Sequence, residues 1–277
     1  MKRIVTIQDI SCVGKCSLTV ALPIISAMGV ECGIIPTAVL STHTMFKNFT
    51  CRDLTGEIEP IVAHWQSEGI GFDAVYTGYL GSFEQIDIVS GIFEAMKKQG
   101  SLICVDPAMA DNGKLYPAFD EAFARKMASL CAKADYVLPN ITEAAYMTGI
   151  EYRESYDEEY VKSLCLALAK LGAKNVVLTG VSYEQGRTGV TVYKSGSGEF
   201  YYYSHEKLPV SYHGTGDIYS STFVGALMNG FSEAEAVAVA ADYTAECIRA
   251  TLDSGKEKWY GVDFEACVPY LLKKIGK

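Results

Sequence analysis

Short apolar runs alternate with longer amphipathic stretches along most of the chain. Ile4-Val5-Thr6-Ile7 is a β-rich run, and the spacing of apolar positions from Ser17 to Met28 predicts a helix that closes at Gly29. A second strand is predicted over Cys32 to Pro36, a helix around Ile58–Glu68, and a buried strand at Ala74-Val75-Tyr76-Thr77 ending at Gly78. Ser82-Phe83-Glu84-Gln85 has the form of a capping box, in which Ser82 and Gln85 can satisfy orphan N–H groups. The helix behind it runs to about Lys98 and stops at Gly100. Then come a strand at Leu102–Val105, a helix over roughly Phe119–Cys131, a strand at Tyr136–Leu138 and a helix over Asn140–Met147. Glu158–Leu171 reads as a helix stopped by Gly172, and Asn175–Thr179 as an apolar strand.

The rhythm changes after that point. Gly189–Lys194 and Glu199–Ser204 are β-rich with a Gly/Ser turn between them, the pattern of a hairpin. Helices follow at Asp217–Asn229, from Ser232 (with the box Ser232-x-x-Glu235) and from about Asp263. Apolar strands separated by helices imply parallel βαβ units with helices on both faces of a sheet. No internal repeat, low-complexity linker or shift of composition interrupts residues 1–277, which favours one α/β domain. In open sheets of this kind ligands sit beyond the carboxyl ends of the strands, so residues that follow strands are the candidates for chemistry.

Charge and composition narrow the classes. With 24 Lys+Arg against 33 Asp+Glu the formal charge is −9, and no basic stripe is present, so a nucleic-acid partner is not expected. The apolar runs fall short of the roughly 18–20 residues that a membrane helix needs. The N-terminus turns polar too soon for a signal peptide, so the chain reads as cytoplasmic with no membrane partner. Nine cysteines, an odd number without C-x-x-C, read as reduced thiols. The four histidines lack zinc-ligand spacing.

Two familiar phosphate motifs fail on context. Val13-Gly14-Lys15-Cys16-Ser17 resembles the end of a Walker A loop, but Asp9 stands where its first glycine belongs and Cys16 replaces the magnesium-binding hydroxyl. Gly69-x-Gly71-x-x-Ala74 precedes a strand instead of following one. The stronger signal is His213-Gly214-Thr215-Gly216-Asp217, directly before an apolar helix. Glycines at a helix start expose backbone N–H groups at its positive end, an anion hole beside which Asp217 could act as base. The plainer reading is that Gly-Asp merely starts a helix.

The other candidates carry the same two readings. Asp106-Pro107, with Asp111 after it, is a turn or a pair of magnesium- or phosphate-facing carboxylates. Asn140-Ile141-Thr142-Glu143 is a helix cap, or it presents two oxygen ligands to a metal-bound nucleotide. Thr179-Gly180 is predicted to end its strand, and Tyr79 follows Thr77-Gly78. His43 and His213 are packed polar residues or members of a site.

In order along the chain, Thr6-Ile7-Gln8, Leu40-Ser41-Thr42-His43-Thr44, Tyr76-Thr77-Gly78-Tyr79, Val105-Asp106-Pro107, Leu138-Pro139-Asn140-x-x-Glu143-Ala144, Val177-Leu178-Thr179 and Gly214-Thr215-Gly216-Asp217 resemble the pyridoxal/pyridoxamine kinases of the ribokinase-like superfamily. The resemblance implies a single-domain ribokinase-like sandwich, mostly parallel, that phosphorylates the 5′-hydroxymethyl of a pyridoxal-class vitamer with MgATP as a homodimer. It leaves room for a monovalent cation such as K⁺. It casts Asp217 as base and Gly214, Thr215 and Gly216 as anion hole. Asp106, Asn140 and Glu143 would face Mg²⁺ and the ATP phosphates, with Asp111 a further metal-facing carboxylate, and Thr179 would contact a phosphate. Thr44, His43 and Tyr79 would line the pyridine pocket.

Three positions depart from the family pattern: Asp9 for a serine, Ala110 for a glycine and Leu138 for a threonine. Asp9 is placed after the first strand, where it either hydrogen-bonds a protonated ring nitrogen or caps the next turn facing water. An Asp there is also similar to the hydroxymethylpyrimidine kinases, the runner-up function. A vitamer- or nucleotide-binding regulator without catalysis is the reading from another class.

Overall fold

The alternation of strands and helices is realised as a mixed α/β architecture, with mostly parallel strands flanked by helices. The computed structural model describes residues 1–255 and 259–277. The chain divides into two units, Met1–Gly78 with Glu206–Lys277, and Tyr79–His205.

In the first unit, β1 (Arg3–Ser11) lies between β2 (Glu31–Leu40) and β4 (Ala74–Thr77) and runs parallel to both. β1 and β4 are buried over most of their length, as strands covered on both faces must be. β3 (Cys51–Asp53) adds antiparallel to β2. Its three exposed residues carry no alternation by which a sequence could announce them. β1 and β2 both outrun their predicted ends, because Ile10 pairs with Val39 and Ser11 with Leu40. Between Gln8 and Ile10 the register shifts, so that Asp9 faces both Thr37 and Ala38 at a β-bulge. Asp9 therefore belongs to the first strand and does not follow it.

Around these strands lie α1 (Leu18–Ala27), α2 (Thr55–Ser67), α7 (Thr215–Met228), α8 (Glu233–Asp253) and α9 (Val268–Lys274). α1 packs on β1 and α7, and α7 packs on α8. The far end of α7 is tied to α1, where Asn229 Nδ2 donates to the Met28 carbonyl at 3.1 Å.

The second unit orders its strands β11 (Glu199–Glu206), β10 (Arg187–Lys194), β9 (Asn175–Val181), β8 (Tyr136–Val137) and β5 (Leu102–Val105). β5, β8 and β9 are parallel and β10 is antiparallel to β9. The predicted hairpin is β10–β11. β9 runs on to Val181, which pairs with Gly189, so Thr179 lies inside the strand and not at its end. Helices α3 (Phe83–Lys97), α4 (Glu121–Cys131), α5 (Ile141–Thr148) and α6 (Glu158–Leu171) complete the unit, with a small ribbon of β6 (Ala110–Asp111) and β7 (Lys114–Leu115). α4 starts two residues later than predicted. Asp120 caps it by accepting from the Phe123 N–H at 2.8 Å, which leaves Phe119 outside the helix. All nine cysteines are free thiols, and among the described residues no helix is long and apolar enough to cross a membrane.

Candidate active site

In the first unit the candidate chemistry gathers around the segment between β1 and α1. Asp9 is buried at 4% exposure. Its carboxylate accepts hydroxyl bonds from Ser17 at 2.6 Å and Ser11 at 3.1 Å. Burial holds its pKa above the usual carboxylate value against these lowering bonds. It does not face water. Ser17 precedes α1 at φ 53°, a backbone state that costs a non-glycine residue on the order of 1–3 kcal/mol. Its hydroxyl serves Asp9 instead of capping the helix. Between them in sequence, Cys16 is pushed up to about 12 by burial and by the carboxylates of Asp217 and Asp9. Both effects favour the neutral thiol over the thiolate.

The start of α7 is built on the same segment. Gly214 has φ 78°, and a Cβ on it would lie 1.6 Å from the Lys15 carbonyl oxygen. Only glycine fits, both for the left-handed backbone and for the close approach. Among the described residues, no side-chain cap hydrogen bond is made at this helix start. Its first-turn acid is Asp217, which is half-buried. An uncapped N-terminus directs backbone N–H groups and the positive end of the dipole outward, the requirement for binding an anion.

His43 is buried nearby. Its Nδ1 accepts the Met45 N–H at 3.3 Å and its Nε2 lies 3.2 Å from the Tyr260 carbonyl, a pairing that needs the proton on Nε2. Burial, helped by the neighbouring His213, holds it below the usual imidazole range. A Cβ on Gly14 would fall 2.5 Å from the His43 ring. Phe46 and Trp259 pack around the same ring at centroid distances of 4.8 and 6.0 Å. Thr44 is exposed. The sequence places Gly14 in a failed phosphate motif and gives no sign of its contact with His43. It had no signal for Trp259 or Tyr260.

In the second unit Asp106 directly follows β5 and is buried. Asn140 and Glu143 form the capping box of α5. Asn140 Oδ1 accepts from the Glu143 N–H at 2.9 Å, and Glu143 Oε2 accepts from the Asn140 N–H at 2.8 Å. The box is wired further into the fold: Glu143 Oε1 accepts from Met109 N–H at 3.1 Å, and Asn140 Nδ2 donates to the Ala110 carbonyl at 2.8 Å. Burial first, and then the adjacent Asp106 carboxylate, raise the Glu143 carboxyl well above its ordinary value. Thr179 bridges to Asn140, and its N–H donates to the Pro139 carbonyl at 2.9 Å. Asp111 is exposed on the ribbon and accepts from the Asn112 backbone N–H and side-chain amide at 2.8 and 3.0 Å. Among the described residues no three His, Cys, Asp or Glu converge on one point, so Asp106, Asp111 and Glu143 do not form a protein cage for a metal. Tyr79 is half-buried after β4 and packs on Phe119 at 5.3 Å.

Known proteins bear on this arrangement directly. The sequence signature of the phosphomethylpyrimidine kinase family matches residues 24–261, most of the chain. A pyridoxal kinase of Granulibacter bethesdensis is 25% identical over 267 residues, covering 91% of each chain. A Bacteroides thetaiotaomicron structure described as a phosphomethylpyrimidine kinase, solved with pyridoxal, has TM-score 0.91 and 38% identity, covering 98% of this chain and 95% of that one. The pyridoxal kinase of Lactobacillus plantarum has TM-score 0.89 and 29% identity, covering 99% and 97%. The chain belongs to the phosphomethylpyrimidine kinase family, within the ribokinase-like superfamily. It is an ATP-dependent kinase of the pyridoxal kinase type.

Proposed function

We infer that this chain phosphorylates the 5′-hydroxymethyl of pyridoxal, pyridoxamine or pyridoxine with ATP. The observation that carries the reading is the open start of α7, with Asp217 in its first turn and Gly214 locked against the Lys15 carbonyl. Asp217 takes the hydroxymethyl proton as that oxygen attacks the γ-phosphorus of ATP, whose bond to the bridging oxygen breaks as ADP leaves. The amides of Gly214, Thr215 and Gly216 hold the oxygens of the transferring phosphoryl group, where catalysis is chiefly positioning and charge stabilisation.

Asp106 and Glu143 suit Mg²⁺ brought in with the nucleotide. Two buried like charges repel each other, and this ion is ordinarily bound through one or two carboxylates plus phosphate oxygens. When bound, it neutralises charge on the phosphates. Asp111 is kept as a further carboxylate toward the metal nucleotide, with Asn140 and Thr179 at the phosphates. Asp9, His43, Thr44 and Tyr79 are assigned to the vitamer ring. The whole chain acts as one kinase domain, in the cytoplasm, as a homodimer, with K⁺ as a candidate activator.

The family's description and the aspartate at position 9 favour hydroxymethylpyrimidine as the second substrate to test. An assay with MgATP and each of pyridoxal, pyridoxamine, pyridoxine and hydroxymethylpyrimidine decides between them. Turnover of at least one B6 vitamer above the pyrimidine is expected. Turnover of the pyrimidine alone would overturn the reading.

A further inference from the structure

Tyr79 does not stand alone in its unit. Its ring is tilted 39° against Phe119 at 5.3 Å, and Phe119 in turn stacks on Phe123 at 4.0 Å and 12°. Phe123 is buried at 2% exposure inside α4, whereas Phe119 is half-buried and stands before the Asp120 cap. Phe119 is thus fixed by stacking on a core residue and not by helix formation.

Its backbone is held as well. The Phe119 N–H donates to the Tyr116 carbonyl at 2.9 Å, Tyr116 N–H to the Met109 carbonyl at 2.8 Å, and Met109 N–H to Glu143. These bonds link the Phe119 backbone, through Tyr116 and Met109, to the buried Glu143 carboxylate. The half-buried Phe119 ring thus touches a core residue on one side and, on the other, Tyr79, a residue proposed to line the substrate pocket.

We propose that Phe119 is a positioning residue that sets the plane of the Tyr79 ring for an aromatic substrate. The proposal rests on the reading of a pyridoxal-class substrate given above. Aromatic pairs prefer offset or edge-to-face geometry, so a ring clamped on one side presents a defined face on the other. Losing the clamp weakens binding of a flat substrate ring without altering the groups that hold the nucleotide.

The test is steady-state kinetics on Phe119→Ala, Phe119→Leu and Phe119→Tyr, each with a thermal melt. The Ala and Leu variants should raise KM for pyridoxal roughly 2- to 10-fold, the range for one lost aromatic pair, with KM for MgATP unmoved. The Tyr variant should restore it. Should Phe119→Ala fold poorly, Phe119→Leu keeps most of the volume and carries the test. In a Tyr79→Ala background, Phe119→Ala should raise KM no further. An unmoved pyridoxal KM, equal rises in both KM values, full rescue by Leu, or additive effects with Tyr79→Ala would each overturn the proposal while leaving the kinase reading intact. Wild-type protein that turns over no B6 vitamer would overturn both.

Discussion

Two helix starts carry most of the candidate chemistry, and they are finished in opposite ways. At α5 the cap is Asn140 and the acid three residues on is Glu143, and the two close on each other in a complete box. At α7 the cap is Gly214 and the acid three residues on is Asp217, but the glycine has no side chain with which to close anything. The first start spends its orphan groups on its own side chains. The second closes no such box, and its Gly214 packs closely on the Lys15 carbonyl. The same sequence spacing closes one start on its own side chains and leaves the other without a side-chain cap, and the residue at the cap position decides which.

The sharpest way to break this contrast is at Asp217. Asp217→Asn should lower turnover about 10²–10⁴-fold while ATP binding persists, since it removes a base and leaves the amides. Near wild-type turnover, measured beside nucleotide binding, would reduce Asp217 to a helix-start acid like any other. Next in size is Gly214→Ala, which places a Cβ on the Lys15 carbonyl and forces a left-handed alanine. A loss of at least about 1–3 kcal/mol in a denaturant titration is expected, together with loss of turnover. An unaffected melt would show that α7 can start without this lock.

At the capped start the effect should be smaller. Asn140→Ala and Glu143→Ala should each cost about 0.5–2 kcal/mol as caps. They should also raise the Mg²⁺ concentration needed for half-maximal activity. A melt that shifts with an unchanged magnesium titration would make the box purely structural and the contrast with α7 complete.

The smallest effect concerns Asp9. Its folded-state pKa is raised above the ordinary 3.8 by burial, so the native state binds its proton more tightly than the unfolded chain does. Its contribution to stability is therefore full below the unfolded pKa and is lost as pH rises through the folded one. Asp9→Asn should flatten that part of the stability profile, read from melts between about pH 4 and 8. Identical profiles for the two proteins would show that Asp9 titrates as an ordinary carboxylate. Comparing the pH dependence of vitamer affinity with that of Asp9→Ser separates a ring contact from a purely internal bond.

What the sequence determined by itself is local. The alternation of strands and helices, the boxes at Asn140 and Ser232, the hairpin of β10 and β11 and the glycine-led start of α7 were all legible. Each is written in residues within a few positions of one another, and short-range backbone physics reads them. The tertiary structure alone decided where partners far apart in the chain would meet. Asp9 was expected just past its strand and Thr179 at the end of its own, and both lie inside, because pairing with β2 and with β10 carries those strands further than propensity does. His43 leans on the Tyr260 carbonyl 217 residues away, Gly214 on Lys15, and Tyr79 on Phe119. Such approaches depend on burial and register summed over whole elements, and no window of sequence contains both sides of the contact.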